Sequence, residues 1–388
     1  MPIVNRFHDL ADEITAWRRD LHEHPELLYD VERTAGVVAE RLKSFGVDEV
    51  VTGIGRSGVV GVIRGRGPGA TIGLRADMDA LPILEKTGKP WASKTSGKMH
   101  ACGHDGHTAM LLGAAKYLAE TRNFHGTVVV IFQPAEEGGA GAKAMIVDGL
   151  LTRFGVEKVY GMHNWPGMKV GDFAVRPGPL MASADRLKIV VEGEGGHAAR
   201  PHLSCDPIVA ASAIVTAAQS IVSRNADPLE AAVLSITMFH AGSADNIIPQ
   251  TAELRGTVRT LNDAMRDMME ERLAVVVASV AAAYGVRADL HYLRDYPVTV
   301  NDAAEADFVA SVAEKVVGAS RVDRAVVPTM GAEDFSFMLK ERPGAFIFAG
   351  VGEEVANLHN EAYDFNDELI PYGCSYWATL VETALPRA

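Results

Sequence analysis

The stretch Thr127-Val-Val-Val-Ile-Phe132, closed by Gln133-Pro134, decides the fold class. A strand with one face in water alternates apolar and polar residues. This run does not alternate, so it fits a strand buried on both faces, as in a parallel or mixed sheet. Working outward, Val156–Gly161 and Ala345–Ala349 read the same way, and Gly58–Ile63 and Ala70–Leu74 are further short β-rich runs. Helical periodicity lies between and around them. Phe7, Leu10, Ile14, Trp17 and Leu21 recur at spacings of three and four and predict one amphipathic opening helix. Val31 to Phe45 predicts a second, stopped by Gly46 as an αL cap, and Thr108–Ala119 and Ala303–Val317 predict two more. Strands alternating with helices argue for an α/β layer with a mixed sheet.

The middle of the chain has another rhythm. Arg186–Glu192 reads as a strand, Pro207–Ser223 as a helix, and Ala232–Phe239 and Gln250–Thr260 as two strands. A long helix from an Asn262 N-cap to Tyr284 follows, with Met265, Met268, Met269, Leu273, Val276 and Val280 expected inward, then a strand at Ala288–Leu293. The order β-α-β-β-α-β is the ferredoxin-like split unit. The expected organisation is an α/β/α domain made of residues 1–182 and 296–388, interrupted by an α+β domain at 183–295.

Composition excludes several functions. The 388 residues carry 37 Lys and Arg against 50 Asp and Glu, a formal charge of −13, with no basic run. Nucleic acid and anionic membrane surfaces are therefore poor partners. The longest apolar runs are short and broken by polar residues, so no membrane span is expected. Three cysteines, Cys102, Cys205 and Cys374, make no disulfide framework and suggest a reducing, cytoplasmic setting. The opening string Met1-Pro-Ile-Val-Asn-Arg-Phe-His-Asp9 reads as free of an apolar signal segment.

Chemistry-bearing residues collect past the carboxyl ends of the expected strands. Asp77 and Asp79 follow Thr71–Leu74, Glu136 and Glu137 follow Thr127–Phe132, His163 follows Val156–Gly161, and His359 lies after Ala345–Ala349. Open α/β sheets bind ligands at that edge. The densest string is Met99-His-Ala-Cys-Gly-His-Asp-Gly-His-Thr108. Cys102 and His104 pair a soft thiolate with an imidazole, suited to Zn²⁺ and other late first-row metals, while His107 reads as a cap or a packed ring. The bland alternative, a buried free cysteine among incidental histidines, weakens once Glu137, His163 and His359 share the same edge. Adjacent carboxylates at Glu136 and Glu137 repel unless a cation neutralises them or one is protonated. Their side chains diverge, so one can ligate a metal while the other moves a proton. His197, Asn246 and Arg259, in Glu194–His202, Ala244–Pro249 and Gly256–Thr260, read alone as ordinary loop and strand residues. His202, His240 and His291 read as structural or surface residues, and Met99, Met110 and Met265–Met269 as core filling.

Together these strings resemble the hippurate hydrolase, N-acyl-amino-acid amidohydrolase and auxin-conjugate hydrolase branch of the aminoacylase/carboxypeptidase metallopeptidases. The resemblance rests on Arg19-Asp-Leu-His-Glu-His-Pro-Glu26, Asp77-Met-Asp-Ala-Leu-Pro82, His100–His107 and Gln133-Pro-Ala-Glu-Glu137. It continues through Gly195-Gly-His-Ala-Ala-Arg-Pro201, Asp245-Asn-Ile-Ile-Pro249, Gly331-Ala-Glu-Asp-Phe335 and Leu358-His-Asn-Glu361. It implies a zinc-exopeptidase-like catalytic domain with two divalent ions (Mn, Zn, Co or Ni) held by Cys102, His104, Glu137, His163 and His359, with Glu136 as general base. It further implies that the inserted domain dimerises, giving a homodimer or dimer-based tetramer. His197 would then stabilise the oxyanion in the partner subunit's site, with Asn246 and Arg259 holding substrate. Many relatives carry His-x-Asp where Asp77 stands, which leaves the role of Asp77 open, while Asp79 is expected to orient a metal ligand.

The activity this implies is hydrolysis of small N-acyl amino acids to a carboxylic acid and a free amino acid. Rival expectations are a dipeptidase, a biosynthetic N-acetyl or N-succinyl amino acid deacylase, a non-catalytic metal-binding interaction protein, and a thiol hydrolase built on Cys102.

Overall fold

The computed structural model describes residues 3–387 and divides them into two compact units. Met1 and Pro2, which open the string read for a signal segment, lie outside the described residues. The first unit holds the residues up to Gly178, Val300–Val327, and those from Asp334 onward; the second holds Pro179–Thr299 and Pro328–Glu333. The boundaries expected at 183 and 295 fall inside the second unit, which also takes a short return segment that has no periodicity to announce it.

The first unit is built on an eight-stranded mixed sheet. Its order is Glu49–Ile54, Gly58–Arg64, Thr127–Gln133, Thr71–Asp77, Lys158–Pro166, Gly344–Gly352, Phe173–Ala174 and Val322–Asp323. The four central strands, from Thr127–Gln133 to Gly344–Gly352, run parallel. Every residue of Thr127–Gln133 after the first is buried, as its unbroken apolar run requires. Asp77 pairs with Gln133 in register, so both chains leave the sheet at one edge. His163 is a correction: the strand continues to Pro166, and the histidine lies within it, opposite Phe348.

Two helix boundaries also differ from expectation. The opening segment is two helices, Ile3–Asp9 and Ala11–Glu23, divided at Leu10. The helix predicted over Thr108–Ala119 spans His104–Thr121 and is buried around most of its circumference. Its first turn gives no apolar period to read, because the residues buried there, His104, Asp105 and His107, are polar. Gly103 sits before it at φ 87°, where a Cβ would lie 2.1 Å from Asn164 Oδ1, so only glycine fits.

The second unit is an antiparallel sheet ordered Ala232–Ala241, Thr251–Thr260, Ala184–Glu192 and Arg287–Tyr296, with helices Pro207–Arg224 and Asp263–Ala283. Asp206 and Asn262 cap the two helices with their side chains, accepting from Ile208 N and Met265 N. The most buried stripe of the long helix is Met265, Met269, Leu273, Val277 and Ala281, a spacing of four, while Met268, Val276 and Val280 flank it partly buried. By length and composition alone, Pro207–Arg224 is apolar enough to cross a membrane. Its Ala210, Ala211, Ile214, Ala218 and Ile221 instead enter the core of this unit.

Candidate metal centre

All the residues proposed from sequence as metal ligands belong to the first unit, and the fold brings them together at the carboxyl edge of the central strands. Cys102, His104 and His163 place one donor atom each within 4.8 Å of one another, and so do Cys102, Glu137 and His359. Cys102 is common to both groups. A third group, His104, Glu136 and Glu137, overlaps them. Cys102 Sγ lies 3.4 Å from His163 Nε2.

Backbone contacts fix which ring nitrogens face the cluster. His104 Nδ1 is 2.8 Å from Asp79 O, and His163 Nδ1 is 2.7 Å from Asn164 O. Only a donating Nδ1–H satisfies a carbonyl, so in each ring Nε2 is the atom turned to the cluster, a lone pair when the ring is neutral. His104 Nε2 and Glu137 Oε1 are buried and stand 3.9 Å apart; no hydrogen bond reaches His104 Nε2, and Glu137 Oε1 meets the half-exposed His359 ring at 3.2 Å. A native core rarely leaves a polar atom such as His104 Nε2 without a partner. Two facing electron-pair donors beside a thiol and a second imidazole fit a divalent transition metal.

The glutamate loop is held from behind. Asp79 accepts Glu136 N at 3.0 Å and Glu137 N at 3.1 Å through its two carboxylate oxygens. Asp79 therefore meets both the loop and, through its carbonyl, His104. Ala135, just before the pair, is at φ 54°, which turns the chain sharply between strand and acids. His359 is at φ 63°, with its backbone N–H bonded to Ala101 O at 2.8 Å, and its half-exposed ring reaches 3.2 Å from Glu137 Oε1.

Electrostatics describe a pocket that demands positive charge. Burial alone lowers His104, yet Asp77, Asp79 and Glu137 push it up to about 10. Burial, reinforced by Glu137, Glu136 and Asp77, holds the Cys102 thiol well above its ordinary value. Burial and His107 hold His163 well below the usual imidazole range, so that ring is neutral. For Glu137, burial opposes ionisation, but His359, His104 and Cys102 together outweigh it and the carboxyl is lowered.

Asp77 gains a structural account. Its Oδ1 takes His107 Nδ1 at 2.6 Å and its Oδ2 takes Arg75 Nη1 at 2.7 Å. Burial would raise Asp77, but Arg75, His104 and His107 hold it well below the usual carboxylate range. His107 is clamped from its other side as well, its Nε2 accepting Asn164 N at 3.0 Å, so it packs in the first helical turn. Arg75 continues to Gln133 at 2.8 Å and Asp334 at 3.1 Å, and Asp334 N approaches Glu136 Oε1 at 3.4 Å. Sequence reasoning assigned no role to Arg75, Gln133 or Asp334. The signal was available in Gly331–Phe335, a quoted string without a role.

The remaining candidates lie in the second unit. Gly196–His197 pairs with Ile247–Ile248, and Ala198 N bonds to Asn246 O at 3.1 Å, so His197 and Asn246 share one exposed two-strand ladder. His197 Nδ1 accepts Ala199 N at 3.1 Å. Arg259 is half-buried on Thr251–Thr260, with Nε 3.2 Å from Thr257 Oγ1.

Comparison with known proteins adds an independent line. Residues 73–383 match the model of a family described as peptidase family M20/M25/M40. The hippurate hydrolase of Campylobacter jejuni is 44% identical over 380 residues, 98% of each chain. The N-acetylcysteine deacetylase of Bacillus subtilis is 42% identical over 370 residues, 95% of this chain and 96% of that one. A solved structure of the Bacillus subtilis YXEP protein, described as a dinuclear metal binding peptidase from the M20 family, aligns with a TM-score of 0.85 at 36% identity. The alignment covers 97% of this chain and 99% of that one.

Proposed function

The chain belongs to peptidase family M20/M25/M40, and from this premise we infer a metal-dependent amidohydrolase that cleaves small N-acyl amino acids to a carboxylic acid and a free amino acid. The observation that carries the reading is the facing pair of buried donor atoms, His104 Nε2 and Glu137 Oε1, 3.9 Å apart beside Cys102 and His163. We assign Cys102, His104, Glu137, His163 and His359 as ligands of two divalent ions drawn from Mn, Zn, Co and Ni. Bound there, the ions acidify water and polarise the amide carbonyl. Glu136, held through its backbone by Asp79, accepts the proton of the attacking water and returns it to the leaving amine. Asp79 orients His104 and the glutamate loop together.

In this reading the second unit dimerises, giving a homodimer or dimer-based tetramer, and His197 donates to the oxyanion in the partner subunit's site. Asn246 and Arg259 hold substrate there. The exposed His197 ring and the exposed Met238 and Phe239 on an edge strand of this unit support the assignment. The three free cysteines support a cytoplasmic setting.

A metal-free thiol hydrolase is disfavoured by the chemistry of Cys102. Such an enzyme needs a depressed thiol pKa and an imidazolium partner. Here burial and carboxylates raise the thiol, and His163 is neutral. The deciding test is a panel of hippurate, N-acetyl amino acids and dipeptides on metal-reconstituted protein. Turnover of the first two over dipeptides is expected; preferential dipeptide cleavage replaces the amidohydrolase with a dipeptidase. Metal binding without hydrolysis of any amide favours a non-catalytic protein.

A further inference from the structure

The family match begins at residue 73, so the helix Ala11–Glu23 lies outside it, yet the buried side chains of that helix end at the supports of the metal cup. Arg18 is fully buried. Its Nε lies 2.7 Å from Asp367 Oδ1, and its Nη1 lies 3.2 Å from Asp364 Oδ1 and 3.5 Å from Asp105 Oδ2. Its Nη2 donates to Phe365 O at 3.3 Å. Asp105 directly follows His104, while Asp364, Phe365 and Asp367 lie just beyond His359 on the same segment. One guanidinium is thus gripped by the helix that begins at His104 and by the segment that carries His359.

One turn further along, His22 sets Nδ1 2.8 Å from Asp105 Oδ2 and Nε2 3.3 Å from Glu85 Oε1. Four residues on again, Glu26 caps the next helix by accepting Arg33 N and Thr34 N, and its carbonyl takes Ala80 N, beside Asp79. Packing repeats the pattern: a Cβ on Gly106 would lie 2.2 Å from the Phe365 ring, so the helix start and the distal segment meet without slack. Ligands contributed by segments far apart in sequence need a rigid support to hold coordination geometry. A guanidinium fork fixes the spacing of the carboxylates it binds, which a lysine ammonium does not.

We propose that Arg18 and His22 are positioning residues of the metal centre, a buried ionic strut that holds the segment carrying Cys102 and His104 in register with the segment carrying His359. The inference rests on the reading of those residues as metal ligands. It makes the N-terminal helix part of the support of the metal site.

The test compares full-length wild type with Arg18→Lys, which keeps the charge and loses the fork. Metal affinity is read by competition of the demetallated proteins with a chromophoric chelator for Zn²⁺. The cobalt-loaded absorption spectrum and the thermal midpoints with and without EDTA are read alongside. Arg18→Lys is expected to weaken at least one ion by about tenfold or more, the scale seen when supports behind ligands are lost. It should also alter the cobalt spectrum and shrink the gap between metal-loaded and EDTA-treated midpoints, because weaker binding stabilises less. Unchanged affinity and spectrum, with both midpoints falling together, would mean a purely structural role and overturn the proposal. Asp364→Asn, at a partly exposed position, gives the same comparison if Arg18→Lys does not fold, with a smaller loss of affinity expected. Wild type that binds fewer than two ions overturns the underlying reading, whereas wild type that binds two with both variants unchanged overturns the strut alone.

Discussion

In the first unit Cys102, His104, His163 and Glu136 are buried among partners drawn from several strands and loops, while in the second unit His197 and Asn246 stand exposed on a ladder of two residue pairs. The buried group is over-determined. His104 alone is approached by Asp79, Asp77 and Glu137, and the rings of His107 and His163 pack around it. The exposed group is held by backbone pairing and leaves its ring in solvent. Where many constraints converge, the chemistry is built into the unit; where one ladder presents a side chain outward, the chemistry needs something brought to it. If, as proposed, the first group holds cations and the second presents a donor to a partner subunit, the two should fail differently when mutated.

The largest expected effect is on the buried side. Glu136→Gln should lower kcat by about 10²–10⁴-fold, the range for loss of a general base, while both ions stay bound. Steady-state kinetics on hippurate with metal analysis of the same sample checks this, and near-native turnover would remove Glu136 from the role. Cys102→Ala should weaken metal binding by more than about tenfold and abolish the thiolate-to-metal charge-transfer band of the cobalt form. Retention of that band would show that the sulfur is not a ligand. On the exposed side, His197→Ala should lower kcat by about 10²–10³-fold, as loss of one oxyanion donor does, with metal content and thermal midpoint unchanged. A fall in metal content instead would erase the contrast between the two groups.

The smallest effect is a pH dependence of stability that belongs to the first unit. Burial lowers His22, but Asp105 and Glu85 outweigh it and push the ring up to about 9. A raised folded-state pKa means the proton is bound more tightly in the native protein than in the unfolded chain. The contribution is therefore complete below about pH 6.5 and lost as pH rises through about 9, on the order of 3 kcal/mol. Urea denaturation of metal-free protein across that window should show the decline, and His22→Gln should flatten it. An equal slope in the variant would assign the pH dependence elsewhere.

Much of the fold was legible because burial leaves a periodic signature. The continuous run in Thr127–Gln133 and the alternation in Ala184–Glu192, where Asp185, Leu187, Ile189 and Val191 are buried, distinguish a two-sided from a one-sided sheet. The candidate ligands were legible because they stand in short, chemically unusual strings near the carboxyl ends of the central strands, although His163 lies within its strand and not after it. The first turn of His104–Thr121 was missed because its buried residues are polar and break the apolar period. Arg75, Asp334, Arg18 and Asp105 escaped for a related reason. Each is a charged residue that reads as surface in sequence, and each is buried here because an opposite charge from a distant segment meets it. Pairing across such distances leaves no mark on local pattern.

The account turns on one claim, that hydrolysis depends on ions held at this buried cluster. Metal-depleted protein titrated with Mn²⁺ or Zn²⁺, while glycine release from hippurate is followed, tests it directly. The account predicts no release before metal is added and a rise to a plateau at two equivalents per chain. Full glycine release from the depleted protein, indifferent to added metal, would contradict it.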